Sequence, residues 1–516
     1  MTVTRRRWRL EPRRTVLLVL LVLVSINALV ILSLGLTKPV LEAHAFRQSQ
    51  TALTIYWLLH GGPLLAYETP NLGYPWSLPL EFPTYQWLVA LLSSAGVSID
   101  AAGRLVAFAF YLGCLWPLRV LLRTERFDTN AYLIIATLFL GSPFYLYWSR
   151  TVLIESCAVF FDLLWLALFA TVARSEKPSF PRVLAMIAVG SVGALTKVTS
   201  FPGFMIIAGI IFLAAARRAD SLRSRLPTLS ALVAGTLLPI IATAIWVAYS
   251  DRLKAMNPFG AMLISTQLTG WNFGTLAQRL SSNFWLGVVA DRTPAEALGY
   301  ARWLGLAAIV GTLMERRYLL PAAICVAAFL TPLLVFTNLQ IVHDYYQYAA
   351  GLFLIGAVGV GIVSIGSWGR GWISVVALVV ILAGDVAKFQ RYYMHFLVAD
   401  DRQDERYRLA ALVRSVTAPG QSVILIGFGW SPEVPYYGQR KSLQLPYTTD
   451  AALMQRVFDD PQRFLGSDTL GAIVFCDDKI KYYDDRAALV RNFLAGRKVL
   501  GALADCQVLS ANRSAS

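Results

Sequence analysis

Four stretches of this chain carry carboxylates, cations or imidazoles among apolar segments. Leu-Glu-Ala-His-Ala-Phe-Arg-Gln supplies Glu42, His44 and Arg47, and Ser-Arg-Thr-Val-Leu-Ile-Glu supplies Arg150 and Glu155. Leu-Thr-Lys ends on Lys197, and Val-His-Asp-Tyr-Tyr supplies His343, Asp344 and Tyr345. A carboxylate can take the proton of an attacking hydroxyl, and Arg or Lys can hold a departing phosphate. The residue types therefore suit transfer of a group away from a phosphate, with Glu42 or Glu155 as the acid–base group. Each residue also has a simpler reading. Glu42 could be a solvated loop carboxylate, Arg150 and Lys197 could be snorkelling anchors, and Asp344 could cap the helix that follows it. Glu68 and Glu81 lie in the same loop as Glu42, and nothing local bars them from its role. One loop carboxylate does not make a convincing divalent-metal site, so no cofactor is expected.

The elements that must position these residues are membrane helices. The 516 residues are 56% hydrophobic and only 15% charged, whereas soluble chains usually carry about a quarter charged residues. Thr15–Thr37 is uncharged, long enough to cross a hydrocarbon layer, and preceded by Arg5, Arg6, Arg7, Arg9, Arg13 and Arg14. It lacks the small-residue cleavage site of a signal peptide and is read as a retained first helix. Further spans are expected near 103–121, 129–148, 153–173, 183–199, 202–216, 227–249, 300–314, 319–336, 345–366 and 371–388, about eleven in all. With the N-terminus inside, the clusters Arg119/Arg123/Arg126, Arg174/Lys177/Arg182, Arg217/Arg218/Arg223/Arg225, Arg316/Arg317 and Arg370 all fall on the cytoplasmic side. The net charge of +15 thus serves orientation in the bilayer, and nucleic acid is not an expected partner.

This order places the four polar stretches on one external face and divides the chain into a transmembrane domain, 1–388, and an external α/β domain, 389–516. The first external loop, 38–102, carries two amphipathic segments, Phe46–His60 and Phe82–Gly96, expected to lie along the membrane surface. In the tail, helices are expected near Asp401–Val416 and Asp484–Leu494, and strands at Ser422–Phe428, Gly471–Cys476 and around Cys506. Cys114, Cys157 and Cys325 read as packing residues, whereas Cys476 and Cys506, on strand-like runs in an oxidising compartment, are expected to form a disulfide.

Carboxylates and cations from four connections on one face suit transfer of a sugar from a polyprenyl phosphate, which also needs a cavity open to lipid. Arg47, Arg150, Lys197 and His343 are expected to line it. The residues resemble the GT-C superfamily of multi-spanning glycosyltransferases, and within it the protein O-mannosyltransferase and lipid A aminoarabinose-transferase group. Leu41-Glu42-Ala43-His44 is similar to that group's first-loop acid motif with one acid of the pair missing. Ser149-Arg150 through Glu155, followed by Phe160-Phe161, is similar to its second motif, with Glu for Asp. Leu195-Thr196-Lys197 and His343-Asp344-Tyr345-Tyr346 resemble two more. The resemblance spans about residues 15–390. It implies an inverting, polyprenyl-phosphate-dependent transferase in a cytoplasmic (inner) membrane, acting on a glycan, lipid or protein acceptor at the external, periplasmic face. The base is Glu42 or another loop carboxylate. A transporter or lipid flippase is the alternative; it would require paired broken helices and polar groups near mid-membrane, where Asp162 lies.

Overall fold

The computed structural model of the chain describes residues 12–218, 222–367 and 371–513. Arg5, Arg6, Arg7, Arg9 and Arg370 of the orientation clusters lie outside these residues. A backbone in hydrocarbon must satisfy its own hydrogen bonds, and the apolar segments accordingly close into helices. Eight described helices are long and apolar enough to cross a membrane: Pro12–Ser33, Ile99–Thr124, Glu155–Ala173, Arg223–Ala255, Asn283–Met314, Arg316–Val335, Tyr345–Gly366 and Trp372–Tyr392. Three shorter apolar helices, Thr129–Gly141, Phe180–Thr196 and Phe201–Arg217, occupy the other expected positions. The protein is a polytopic α-helical membrane protein with a small α/β tail.

The first part of the chain runs through α1 (Pro12–Ser33), α2 (Ala45–Leu59), α3 (Thr84–Ser94), α4 (Ile99–Gly113), α5 (Leu115–Thr124), α6 (Thr129–Gly141), α7 (Pro143–Trp148) and α8 (Glu155–Ala173). Helices α9 (Phe180–Thr196), α10 (Phe201–Arg217) and α11 (Leu222–Ala255) follow. The single span expected over 129–148 is two helices. Pro143 has no N–H to continue α6 and holds Ser142 extended, so a new helix starts at Pro143. Helix α11 continues through its internal Pro239, and the carbonyl that this proline leaves unpaired, Gly235 O, accepts the Trp165 indole N–H at 2.9 Å. The irregular stretch Asn283–Met314 starts well before the expected span at 300 and is broken at Gly299, whose φ of +57° favours glycine.

Helix α8 and the segment Tyr345–Gly366 form the centre of the bundle, whereas α1 stands at the rim with Val22, Leu23, Ile26 and Leu29 exposed. Such an outward apolar face suits lipid, not water. Helices α2 and α3 pack against each other, and α3 keeps Leu88 and Leu91 exposed. Residues 48–55 of α2 are buried, with the helix set among α3, α4 and a tail helix.

The tail forms a five-stranded sheet in the order β2-β1-β3-β5-β4, with β1 (Gln421–Ile426), β2 (Ser442–Leu445), β3 (Thr469–Cys476), β4 (Arg497–Leu503) and β5 (Cys506–Arg513). Strands β2, β1 and β3 are parallel, and β5 runs antiparallel to both β3 and β4. Cys476 and Cys506 stand opposite each other in the β3–β5 register and are joined by a disulfide. The outer edge of β2 is covered by the first loop: Gly73 N–H donates to Ser442 O, Ser442 N–H to Pro70 O, and Gln444 N–H to Asn71 O. Leu72, Trp76 and Leu78 of that loop, with Phe259 and Leu263 after α11, share one apolar core with Ile424, Leu443 and Ile473 of the sheet. The tail is therefore built onto the membrane domain's loops.

Candidate active site

Glu42 follows α1 and is fully buried. Arg104 of α4 donates to its Oε1 at 2.8 Å, and Arg150, just past α7, donates to Oε2 at 2.9 Å and Oε1 at 3.2 Å. Arg104 also donates to the carbonyls of Leu36 and Lys38, closing the turn that carries Glu42. Burial alone would raise the Glu42 pKa, but Arg150 and Arg104 outweigh it and hold it at about 2. Glu42 thus stands in a buried ion-pair network with Arg104 and Arg150, whose guanidinium is fully buried against it. Arg104 was not singled out from sequence, although a charge one turn inside an apolar helix was the available signal.

The other expected residues converge. His44, in the left-handed region at φ +53°, turns the chain into α2 and places Arg47 one turn later. Arg47 pairs with Glu81, and Arg47 also donates to Gln50. Lys197 ends α9 in an extended conformation and pairs with Glu155, the first residue of α8; its Nζ lies 4.0 Å from the centre of the Tyr346 ring. His44 Nε2 lies 2.9 Å from Asp344. The His44 ring lies 4.8 Å from Tyr345 and 5.4 Å from His343, which meets Tyr346 at 5.8 Å. Burial and the neighbouring His44, with smaller effects from Lys197 and Arg47, push the His343 pKa down to about 4 against the pull of Asp344. His343 is thus neutral near pH 7, and its buried Nδ1 has no hydrogen-bond partner among the described residues.

Arg47, Lys197, His44 and His343 therefore share one end of the bundle with Glu81, Glu155 and Asp344. Glu81, tied to Arg47, was weighed in the sequence only as an alternative to Glu42. Its side chain is 24% exposed, against 2% for Glu155, and it borders a small polar cavity lined by Thr51, Thr54, Tyr67 and Gln86. Asp162 lies deeper in α8 and accepts from Ser200; a Cβ at Gly193 would stand 2.2 Å from its Oδ1, so glycine there lets α9 approach. Among the described residues, no three His, Cys, Asp or Glu side chains are grouped to hold a metal ion. The large cavity in the bundle, about 320 Å³, is not lined by Arg47, Arg150, Lys197 or His343 as expected but lies toward the opposite end.

The helical bundle with its helical first loop and small tail shares its fold with solved membrane glycosyltransferases. Over 95% of its length the chain is similar to the crystal structure of ArnT from Cupriavidus metallidurans bound to undecaprenyl phosphate, covering 97% of that chain with a TM-score of 0.60 at 14% identity. It is similar to the Archaeoglobus fulgidus oligosaccharyltransferase tethered with an acceptor peptide, at TM-score 0.52 and 12% identity over 96% of this chain and 74% of that one. The mycobacterial arabinofuranosyltransferase AftD matches at TM-score 0.54 and 15% identity, over 95% of this chain and 40% of that one. No protein-family profile and no curated protein matches the sequence.

Proposed function

We propose that the chain is a glycosyltransferase that moves one sugar, with inversion, from a polyprenyl-phosphate donor to a glycan, lipid or protein acceptor. The observation that carries the reading is the convergence of Arg47 and Lys197 with Glu81, Glu155, Asp344 and His343 at one end of the bundle. The ArnT structure, of the same fold, holds undecaprenyl phosphate. In this reading the phosphate lies against Lys197 and Arg47, beside the Tyr345 and Tyr346 rings, and the neutral His343 donates a hydrogen bond to phosphate or sugar. The acceptor hydroxyl gives its proton to Glu81 as its oxygen bonds to the anomeric carbon. The carbon–oxygen bond to phosphate breaks, and the phosphate leaves with the electron pair. Glu155 orients Lys197, and Glu42 holds the turn from which Arg47 projects.

Both cations are already paired, so a donor phosphate has to take Arg47 from Glu81 and Lys197 from Glu155. Release of Arg47 leaves the Glu81 carboxylate open to the acceptor hydroxyl, which couples donor binding to acceptor binding. With the arginine-rich loops inside, this end faces the periplasm, across a cytoplasmic membrane with the N-terminus in the cytoplasm. The experiment is turnover of the purified protein on a panel of polyprenyl-phosphate sugars with candidate acceptors. Transfer from one donor, lost in Lys197→Ala, is the expected result. Absence of transfer from every donor, with the donors bound and carried across vesicles instead, would favour a transporter.

A further inference from the structure

The 320 Å³ cavity is large enough for a small-molecule site, which usually starts at about 300 Å³. Its walls come from α5, α6, α8 and α10 and from the helices Arg316–Val335 and Tyr348–Gly366, and they are almost wholly apolar, with Leu163, Ile211 and Phe353 among them. The charged lining residues are Glu125, Arg174 and Arg218. All three lie at the end of the bundle opposite the active-site cluster: α8 runs from Glu155 to Arg174 and α10 from just past Lys197 to Arg218, each about 25 Å long.

The cavity does not reach the catalytic end. Leu163 lies two turns below Glu155 and Phe353 more than a turn below Tyr348, and between them and the cluster stands a buried polar layer. Tyr145 donates to the Tyr348 carbonyl at 2.5 Å, and the Tyr348 and Ser156 hydroxyls hydrogen-bond at 2.9 Å. At the mouth Arg174 neutralises Glu125 at 2.7 Å. Arg218 is exposed and makes no ion pair among the described residues, which leaves the mouth with an excess positive charge.

We propose that this cavity is a binding site for an anionic phospholipid of the arginine-side leaflet, with one acyl chain between the helices and the phosphate at Arg218. The apolar walls offer nothing to a polar ligand, and an empty space of this size between membrane helices would forfeit the packing that holds them. Arg218, which makes no ion pair among the described residues, selects an anionic headgroup over a zwitterionic one. The site is separate from the donor site and stands whether or not the chain transfers sugars.

The test uses the full chain in phosphatidylcholine nanodiscs doped with phosphatidylglycerol, counting by mass spectrometry the lipid that survives detergent washing. Retained phosphatidylglycerol should exceed phosphatidylcholine. Arg218→Glu, at an exposed position, should lower its retention about fivefold or more, and Ala214→Phe, which fills the cavity, should remove it. Should Ala214→Phe fail to fold, Arg218→Glu carries the test. Equal retention of the two lipids, no loss in Arg218→Glu, or recovery of polyprenyl phosphate as the retained lipid would overturn the proposal.

Discussion

Glu42 and Glu81, which look alike in the sequence, have different partners in the structure. Glu42 lies between two buried arginines, and removing its charge leaves both uncompensated, at a cost of about 3–5 kcal/mol. Glu42→Gln should therefore lower the melting temperature and yield, with turnover per folded molecule changed much less. Glu81→Gln should fold as well as the parent and lose about 10²-fold in turnover; if the two phenotypes are exchanged, Glu42 is the base after all. Acid should act through the same residue. Because its native pKa of about 2 lies below the ordinary 4.5, the Glu42 contribution to stability is complete above about pH 4.5 and is lost as pH falls toward 2. His343, held near 4 in the folded chain, adds a second slope. Between about pH 6.5 and 4 the unfolded chain takes up a proton that the native one refuses, so stability falls with pH, and His343→Gln should flatten that window in pH-dependent melts. That these residues meet at one end was legible from sidedness alone. Which acid is locked between two buried arginines was not, because it depends on Arg104, 62 residues beyond Glu42 and on another helix.

At the scale of elements, hydropathy located the membrane helices but not their breaks. Pro143 splits one expected span, where Ser142 leaves the helical region, whereas Pro239 leaves α11 continuous. The carbonyl freed at each proline has a side-chain donor, Tyr111 for Phe139 and Trp165 for Gly235. Trp165→Phe should destabilise the bundle by about 1–3 kcal/mol, the cost of an unpaired buried acceptor. Pro239→Ala restores the helical N–H, so in that background the same Trp substitution should cost clearly less. Equal costs in a thermal-melt double-mutant cycle would mean that the indole packs without serving the carbonyl. In the tail, β1, β3 and β5 were visible as apolar runs. Strand β2 has four residues, too short to stand out, and β4 carries Val499 and Leu500 at exposed positions; both are defined by what they pair with.

Across the whole molecule, the first loop and the tail are one structure. Residues 70–73 pair with β2, Asn71 donates to the Trp430 carbonyl, and Tyr436 and Tyr437 in the helix Glu433–Gly438 donate to Asp100, one turn from Arg104. Removal of residues 389–516 should leave the membrane helices inserted but abolish turnover and expose residues 61–80 to protease. A truncated protein with full activity would show that the loop holds its shape alone. The same pairing has a consequence for biosynthesis. The loop bearing Glu81 leaves the ribosome about 370 residues before the strand that covers it, since Leu72 waits for Leu443, and contacts so distant in sequence form late. A growing chain can thus complete every membrane crossing while its first loop is still unfastened. Chains stalled near residue 430 should be inserted, protease-sensitive in that loop and silent toward donor, so that competence is granted only with the last segment of translation.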